Sequence, residues 1–306
     1  MKVRIYTLVA AMLCCSAALA QENVPVSEAL QLLSQPRSAD VSGMAGAGSA
    51  SVASSAAMAV FDNPARLVFA PRRMDAAVSY NLWAPGNDAT KVSYMGGGVA
   101  VKLGKSFAVG AGALYGARPS LDFGGSYGTY APSDLLVAGG VSVAFTPGLS
   151  LGASVRFAQQ RLLPDYKISS VAFSAMLQYR LKALNVAAGV QNLGGGVKSE
   201  SGNSSPLPAS ARAAVSYELP FGLGAALDAD YYFSGKVGVS AGLRYTFREL
   251  LYVRAGYRFA SEGAALPSHL ALGLGARWKG IGLDVTYITA NKIIGNSLAV
   301  SLGYRF

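Results

Sequence analysis

The last ten residues of the chain, SLAVSLGYRF at 297–306, alternate strictly between two kinds of side chain. One set is apolar and ends in two aromatic residues, Tyr304 and Phe306. The other set is small or polar and ends in Arg305. Because successive side chains of a β-strand point to opposite faces, this stretch predicts a strand with one apolar face and one polar face.

The same alternation recurs from Met74 onward in about fourteen segments, with clear apolar ladders at 149–157, 171–179, 237–247, 270–278 and 281–287. Short connections between the segments alternate with longer ones. The short ones are 104–105, 147–148, 182–183, 220–221, 248–249 and 279–280, and the longer ones include 117–133, 161–167, 193–208 and 260–268. Apolar-out, polar-in strands and alternating short and long connections are typical of outer-membrane barrels. The sequence therefore predicts an all-β fold, a transmembrane antiparallel β-barrel of about fourteen strands over residues 74–306. A soluble sandwich is the alternative fold.

The start of the chain predicts export. Lys2 and Arg4 precede an apolar run, and Ala18-Leu19-Ala20 provides a cleavage site, so residues 1–20 are predicted to be a signal peptide. Both cysteines lie within it. The chain is 52% apolar and only 14% charged, yet beyond residue 20 it has no apolar run long enough for a membrane helix. We expect the Gram-negative outer membrane and its lipid as the environment, with the amino and carboxyl termini in the periplasm.

Residues 21–73 lack the two-residue period and are predicted to form a hatch or plug segment. They contain the Gly-rich stretch 43–48 and, further on, Asn63-Pro64-Ala65. Small residues allow a segment to pack closely inside a larger structure, and the Gly46-x-Gly48 pair lacks the context of a dinucleotide-binding loop.

Charged residues share strands with the apolar ladders but lie on the opposite face. An Arg at mid-bilayer on the lipid face costs about 2–4 kcal/mol, so these side chains are expected to point into the lumen. A structural ion-pair network is the main interpretation, and a basic lumen that selects anionic solutes is the alternative. The predicted network comprises Arg156, Arg180, Arg212, Asp228, Asp230, Arg244, Arg254, Arg258, Arg277, Asp284 and Arg305.

The residue types present argue against several function classes. Beyond the signal peptide there is no cysteine and only one histidine, His269, so neither a transition-metal site nor a Ser–His hydrolase is expected. The cations are spread singly along strands, which argues against nucleic-acid binding. We predict no enzyme activity and no cofactor.

Several motifs carry a resemblance to known families. The carboxyl-terminal strand resembles those that the barrel assembly machinery recognises. The 43–48 stretch followed by Asn63-Pro64-Ala65 resembles the hatch region of the FadL-like outer-membrane superfamily. More narrowly, the segments 36–39, 79–83, 190–194, 242–247 and 254–258 resemble the PorV/PorQ branch of Bacteroidetes type IX secretion.

That resemblance implies a PorV-like component of type IX protein secretion. Its expected partners are the large translocon and cargo proteins with a carboxyl-terminal signal domain, which would bind at the extracellular loops. Tyr127 and Tyr130 are the candidate loop contacts. The alternative function is a FadL-type transporter of hydrophobic small molecules, which requires an apolar pocket, a gated hatch and an opening in the wall, for example at Gly96–Gly98 or Gly139–Gly140. A plain anion-selective porin is a third possibility.

Overall fold

The apolar ladders form the outer surface of a closed barrel, seen in a computed structural model that describes residues 28–35, 37–83, 91–122, 124, 128–198, 204–290 and 296–306. Fourteen antiparallel strands make up the wall, as predicted. In chain order they are β1 Met74–Trp83, β2 Val92–Lys102, β3 Phe107–Ala117, β4 Ser133–Ala144, β5 Leu149–Arg161, β6 Lys167–Leu181, β7 Leu184–Gly194, β8 Ser210–Glu218, β9 Leu223–Tyr232, β10 Val237–Phe247, β11 Leu251–Ala260, β12 His269–Trp278, β13 Ile281–Ala290 and β14 Asn296–Arg305.

The barrel closes between the first and last strands. β1 pairs with β14 from Asp75 opposite Arg305 to Leu82 opposite Leu298. Elsewhere each strand pairs with its sequence neighbour, and among the described residues the register is regular except at one bulge between β6 and β7, near Phe173 and Ala175. Closure leaves no free strand edge, which a β-structure in lipid requires.

The two ends of the barrel differ. Tight connections lie at the turn end, where Phe306 and Met74 are also joined by a backbone hydrogen bond of 3.0 Å. At this end Pro220–Gly222 forms a 3-10 turn. Long connections lie at the loop end, and two of them contain short hairpins, Leu121–Asp122 with Thr129–Tyr130 and Val197–Lys198 with Ser204–Ser205.

The hatch, residues 28–73 of the described chain, lies inside the barrel. Its helical pieces are Gln31–Leu33, Ala39–Ser42, Ala59–Phe61 and Pro64–Phe69; the second is α-helical and the others are 3-10. Most of its side chains from residue 37 to residue 70 are buried. None of the helices in the described part of the chain is long and apolar enough to cross a membrane.

The first described residue is at the loop end, not the turn end. Glu28 approaches Lys236 at 3.6 Å, and the Ala29 N–H donates to the Pro206 carbonyl at 2.9 Å. Phe306 is at the opposite end of the barrel. The predicted signal peptide and the periplasmic amino terminus concern residues before 28, which lie outside the described residues.

Candidate functional site: the hatch within the lumen

The Asn63-Pro64-Ala65 motif joins the hatch to the wall. The Asn63 side chain caps the 3-10 helix by accepting from the Ala65 N–H at 3.1 Å. Its amide nitrogen donates to the Ser49 carbonyl at 3.0 Å and to Gln178 Oε1 of β6 at 2.7 Å. Asn63 is fully buried, so one side chain positions the helix, the preceding hatch loop and the wall together.

Ala65 contacts the wall through its backbone. Its carbonyl accepts from the Ser142 hydroxyl at 3.0 Å and from the Ser150 hydroxyl at 2.8 Å. Opposite it, a Cβ atom on Gly152 would lie 2.1 Å from the Ala65 nitrogen. Gly256 makes a similar approach to the backbone of Met44. Hatch and wall therefore touch main chain to main chain at these glycines.

Two wall carboxylates also bind the hatch backbone. Asp228 accepts from the N–H groups of Gly48 and Ser49 at 2.8 and 3.2 Å. Asp75 accepts from the Ala56 N–H at 2.9 Å. These carboxylates satisfy donors that would otherwise be buried without partners, which costs about 1–3 kcal/mol each.

Asp40 supplies a third carboxylate, from the hatch itself. It accepts from the N–H groups of Ser55 and Val41, each at 2.9 Å, and from the Ser38 hydroxyl. Burial opposes its ionisation, but Arg254 and the hydrogen bonds from Ser38 and Ser55 outweigh it, so the pKa of Asp40 lies below its usual 3.8. The carboxylate is therefore ionised at neutral pH.

Many of the predicted lumen charges form ion pairs. Asp230 bridges Arg212 and Arg258, at 2.6 and 3.2 Å. The other pairs are Arg254 with Asp284 at 2.5 Å, Arg305 with Asp75 at 3.1 Å and Arg244 with Glu218 at 2.7 Å.

Three arginines of the predicted network have no carboxylate partner among the described residues. Arg156 is buried and donates to Asn192 Oδ1 at 2.6 Å. Arg180 is exposed at the turn end, with its guanidinium 5.8 Å from the Phe69 ring. Arg277 contacts the hydroxyl of Tyr252 at 3.4 Å. None of the three lies within ion-pair distance of a described carboxylate, so their place in the network stays a prediction.

Sequence reasoning missed several residues that contact the hatch. Asp75 and Gln178 are on inward positions of alternating strands, so the period could have found them. Arg37, Asp62 and Arg66 belong to the hatch, where no period exists to mark an inward face. Arg66 pairs with Asp62 at 3.2 Å and donates to the Ser51 carbonyl at 3.0 Å.

The predicted loop contacts remain predictions. Tyr127 lies outside the described residues. Tyr130 is partly exposed in the short hairpin at the loop end.

A cavity of about 380 Å³ lies at the loop end, between the hatch and the barrel mouth. Leu30 and Leu32 of the hatch face Trp83, Val92 and Tyr94 of the wall, together with Ile168 and Leu266. Its volume is within the range of small-molecule sites.

The charges around this cavity are compensated. The Arg118 guanidinium pairs with Asp134 at 3.0 Å, and the same carboxylate accepts from the Tyr94 hydroxyl at 2.9 Å. Glu28 is near Lys236 and accepts from the Ser234 hydroxyl. The lining therefore combines apolar side chains with the amides of Gln31, Gln35 and Gln160, and its charges are neutralised.

A second cavity, of about 770 Å³, opens at the turn end beneath the hatch. Val68, Phe69 and Pro71 line it on the hatch side, and Lys102, Lys105, Arg180 and Lys182 surround it. The hatch separates this cavity from the one at the loop end.

The fold, a closed fourteen-stranded antiparallel barrel with an internal amino-terminal hatch, matches that of FadL-like outer-membrane barrels. Solved structures of hydrocarbon transporters share it. The toluene transporter TbuX of Ralstonia pickettii is 14% identical and has a TM-score of 0.64, covering 88% of this chain and 98% of that one. CymD, a monoaromatic hydrocarbon channel, also has a TM-score of 0.64 at 14% identity, covering 88% and 97% of the two chains.

A FadL homologue of Pseudomonas aeruginosa is 13% identical with a TM-score of 0.59, covering 89% of this chain and 99% of that one. No family model matches the sequence, and no curated protein matches it. At these identities the likeness shows the fold alone.

Proposed function

We propose that this protein transports a small, apolar, uncharged molecule across the outer membrane. The loop-end cavity is the observation that carries the proposal. It combines ligand-sized volume, a cluster of apolar wall residues that includes Trp83 and Val92, and a floor made of hatch residues. The fold shared with transporters of toluene and other monoaromatic hydrocarbons supports the same class of ligand.

The compensated charges favour an uncharged ligand over a carboxylate. A carboxylate entering the cavity would have to displace Asp134 from Arg118, because that guanidinium already has its counter-ion. Burying a charge without a partner is costly, whereas apolar surface gains about 25 cal/mol per Å² on burial.

The proposed route from the cavity requires a change in the hatch or the wall. The wall has a candidate site beside the β6–β7 bulge, where a groove of about 480 Å³ opens near Gly139 and Gly140. A Cβ atom on Gly139 would meet no atom within 4 Å. Both glycine stretches are paired with a strand on each side, but Gly139–Gly140 borders this groove and Gly96–Gly98 does not, so Gly139–Gly140 fits a lateral opening better.

The two tryptophans of the chain allow a direct binding test. Trp83 lines the cavity and is buried, whereas Trp278 is 62% exposed on the outer face. In Trp278→Phe the only tryptophan left is the cavity residue, and excitation at about 295 nm selects it over the tyrosines. Iodobenzene, a heavy-atom quencher, is expected to quench it saturably, and 4-iodobenzoate is expected to have little effect.

The matched control is Trp83→Phe, which keeps only the exterior tryptophan. It should show linear, non-saturating quenching as iodobenzene enters the detergent. Equal, non-saturating quenching in both variants would overturn the proposal, as would saturable binding of the benzoate alone. Uptake of radiolabelled toluene by cells that express the protein then tests transport.

A PorV-like role in type IX secretion is the second candidate, and the close hatch–wall packing favours it. Main-chain contacts at Gly152 and Gly256 suit a lumen that stays closed while partners bind outside. Affinity purification in mild detergent tests this role. Co-isolation of a large translocon or of cargo with a carboxyl-terminal signal would support it, and repeated absence of both would exclude it.

A further inference from the structure

Three buried arginines converge where the hatch meets the wall. Arg37 and Arg66 belong to the hatch and Arg156 to β5, and none is more than 5% exposed. Arginine stays protonated in proteins, so the group has three positive charges. Burial lowers the pKa of Arg37 to about 9, and Arg156 acts in the same direction, which still leaves it charged at neutral pH.

One carboxylate, Asp62, attracts all three guanidinium groups. Asp62 pairs with Arg66 at 3.2 Å, and it acts favourably on Arg37 and Arg156 without an ion pair to either within 4.0 Å. Another lumen carboxylate, Asp230, is already shared by Arg212 and Arg258. The cluster therefore has a local excess of about two positive charges.

The guanidinium groups also have unused donors. Arg37 gives one nitrogen to the Leu32 carbonyl, and Arg156 gives one to Asn192. Within the described chain, Nε and Nη1 of Arg37 and Nε and Nη2 of Arg156 have no hydrogen-bond partner. Buried charges are normally paired, and unpaired ones cost several kcal/mol each. Something other than the described side chains must compensate them.

A small cavity adjoins the cluster. Its volume is about 50 Å³, and its lining includes Arg37, Asp62 and Asn192 together with the Asp230-paired Arg212 and Arg258. Arg156 is not in the lining but reaches it through its hydrogen bond to Asn192. A site of this size admits a few water molecules or a monatomic anion but not an organic ligand.

We propose that this part of the lumen binds a small inorganic anion of the chloride type, between Arg37 of the hatch and Arg156 of the wall. A bound anion neutralises the excess charge and accepts from the unused donors after small rotations of the two guanidinium groups. Because Arg37 and Arg156 lie on different parts of the fold, the anion fastens the hatch to β5. The proposal is independent of the transported molecule.

The test measures hatch protection as a function of chloride. The full-length protein in detergent is dialysed into sodium gluconate, and sodium chloride then replaces gluconate at constant ionic strength. Hydrogen exchange of the hatch amides is expected to slow in proportion to one plus the ratio of the chloride concentration to its dissociation constant, which is about 100-fold when chloride reaches 100 times that constant. Bromide should also slow exchange of the hatch amides. In crystals it should give an anomalous-scattering peak between Arg37 and Arg156.

Charge-removing variants separate a bound anion from a general salt effect. Arg37→Gln and Arg156→Gln each remove one excess charge, so both should protect the hatch better than the wild type in gluconate and lose the chloride response. Arg180→Gln, at an exposed position without a carboxylate partner, is the control and should keep the wild-type response.

The proposal is overturned if the wild type does not respond to chloride, or if Arg37→Gln responds as strongly as Arg180→Gln. If a variant does not fold, the wild-type titration and the bromide peak decide the question: a flat titration and no peak reject the site.

Discussion

Replacement of Gly152 by alanine should release the hatch without opening the barrel. The added Cβ would lie 2.1 Å from the Ala65 nitrogen, and real Cβ contacts shorter than 3.0 Å essentially never occur. The hatch backbone must therefore move by roughly 0.9 Å, the difference between these distances. That shift also stretches the hydrogen bonds from Ser142 and Ser150 to the Ala65 carbonyl.

The expected cost follows from these two effects. Overpacking of a filled interior costs about 1–3 kcal/mol. Weakening two buried hydrogen bonds adds up to about 1 kcal/mol each. A total of roughly 2–4 kcal/mol corresponds to a loss of hatch protection of about 30- to 1,000-fold.

Hydrogen exchange of residues 48–66, followed by mass spectrometry in detergent, measures this loss. The matched control is Gly139→Ala, a wall glycine whose added Cβ has open space; it should leave hatch exchange unchanged. Both variants should keep the heat-modifiable mobility of a closed barrel on electrophoresis. Wild-type hatch protection in Gly152→Ala would refute the inferred main-chain contact.

Three further changes test other parts of the structure. Asp228→Ala removes the acceptor for two buried hatch N–H groups and should destabilise the packed hatch by about 2–4 kcal/mol. Amide exchange rates at residues 48 and 49 should rise most. Unchanged rates there would contradict the two hydrogen bonds to Asp228. Leu302→Arg places a charge at mid-height on the lipid face, opposite Val78 of β1, and should destabilise the folded barrel in vesicles by about 2–4 kcal/mol in urea titrations, whereas Ala299→Ser, on the inward face, should cost little. The pKa of Asp40 is lower in the folded state than in the unfolded chain, so its stabilising contribution is fully present above about pH 4 and is lost as the pH falls through the folded-state pKa. Asp40→Asn should remove this acid-dependent step from the pH profile of hatch exchange. An unaltered profile would contradict the role of Asp40.

The barrel was predictable because lipid imposes a simple rule on every strand. A residue such as Leu298 must face outward and its neighbour inward, so the period of two survives in the sequence. Turn lengths then order the strands, and the structure confirms fourteen of them. The same period placed Asp230 and Arg258 on the inward face.

The contacts within the lumen were not predictable in the same way. Alternation specifies which face of the sheet a side chain occupies, but not its position along the barrel axis and not its interaction partner. Gln178 and Arg180 share the inward face of β6, yet Gln178 forms a hydrogen bond with the hatch and Arg180 is exposed at the turn end of the barrel. The hatch packs through glycines and backbone groups, as at Gly152 against Ala65, and such contacts leave no periodic signal.

The closure of β1 on β14 has a consequence for biogenesis. The hatch precedes every strand in the chain, and its main chain lies against wall glycines on several sides. A segment fitted so closely cannot thread into a finished cylinder. We therefore expect the hatch to be inside the curving sheet before β14 pairs with β1, so the pairing that closes the barrel also encloses the hatch.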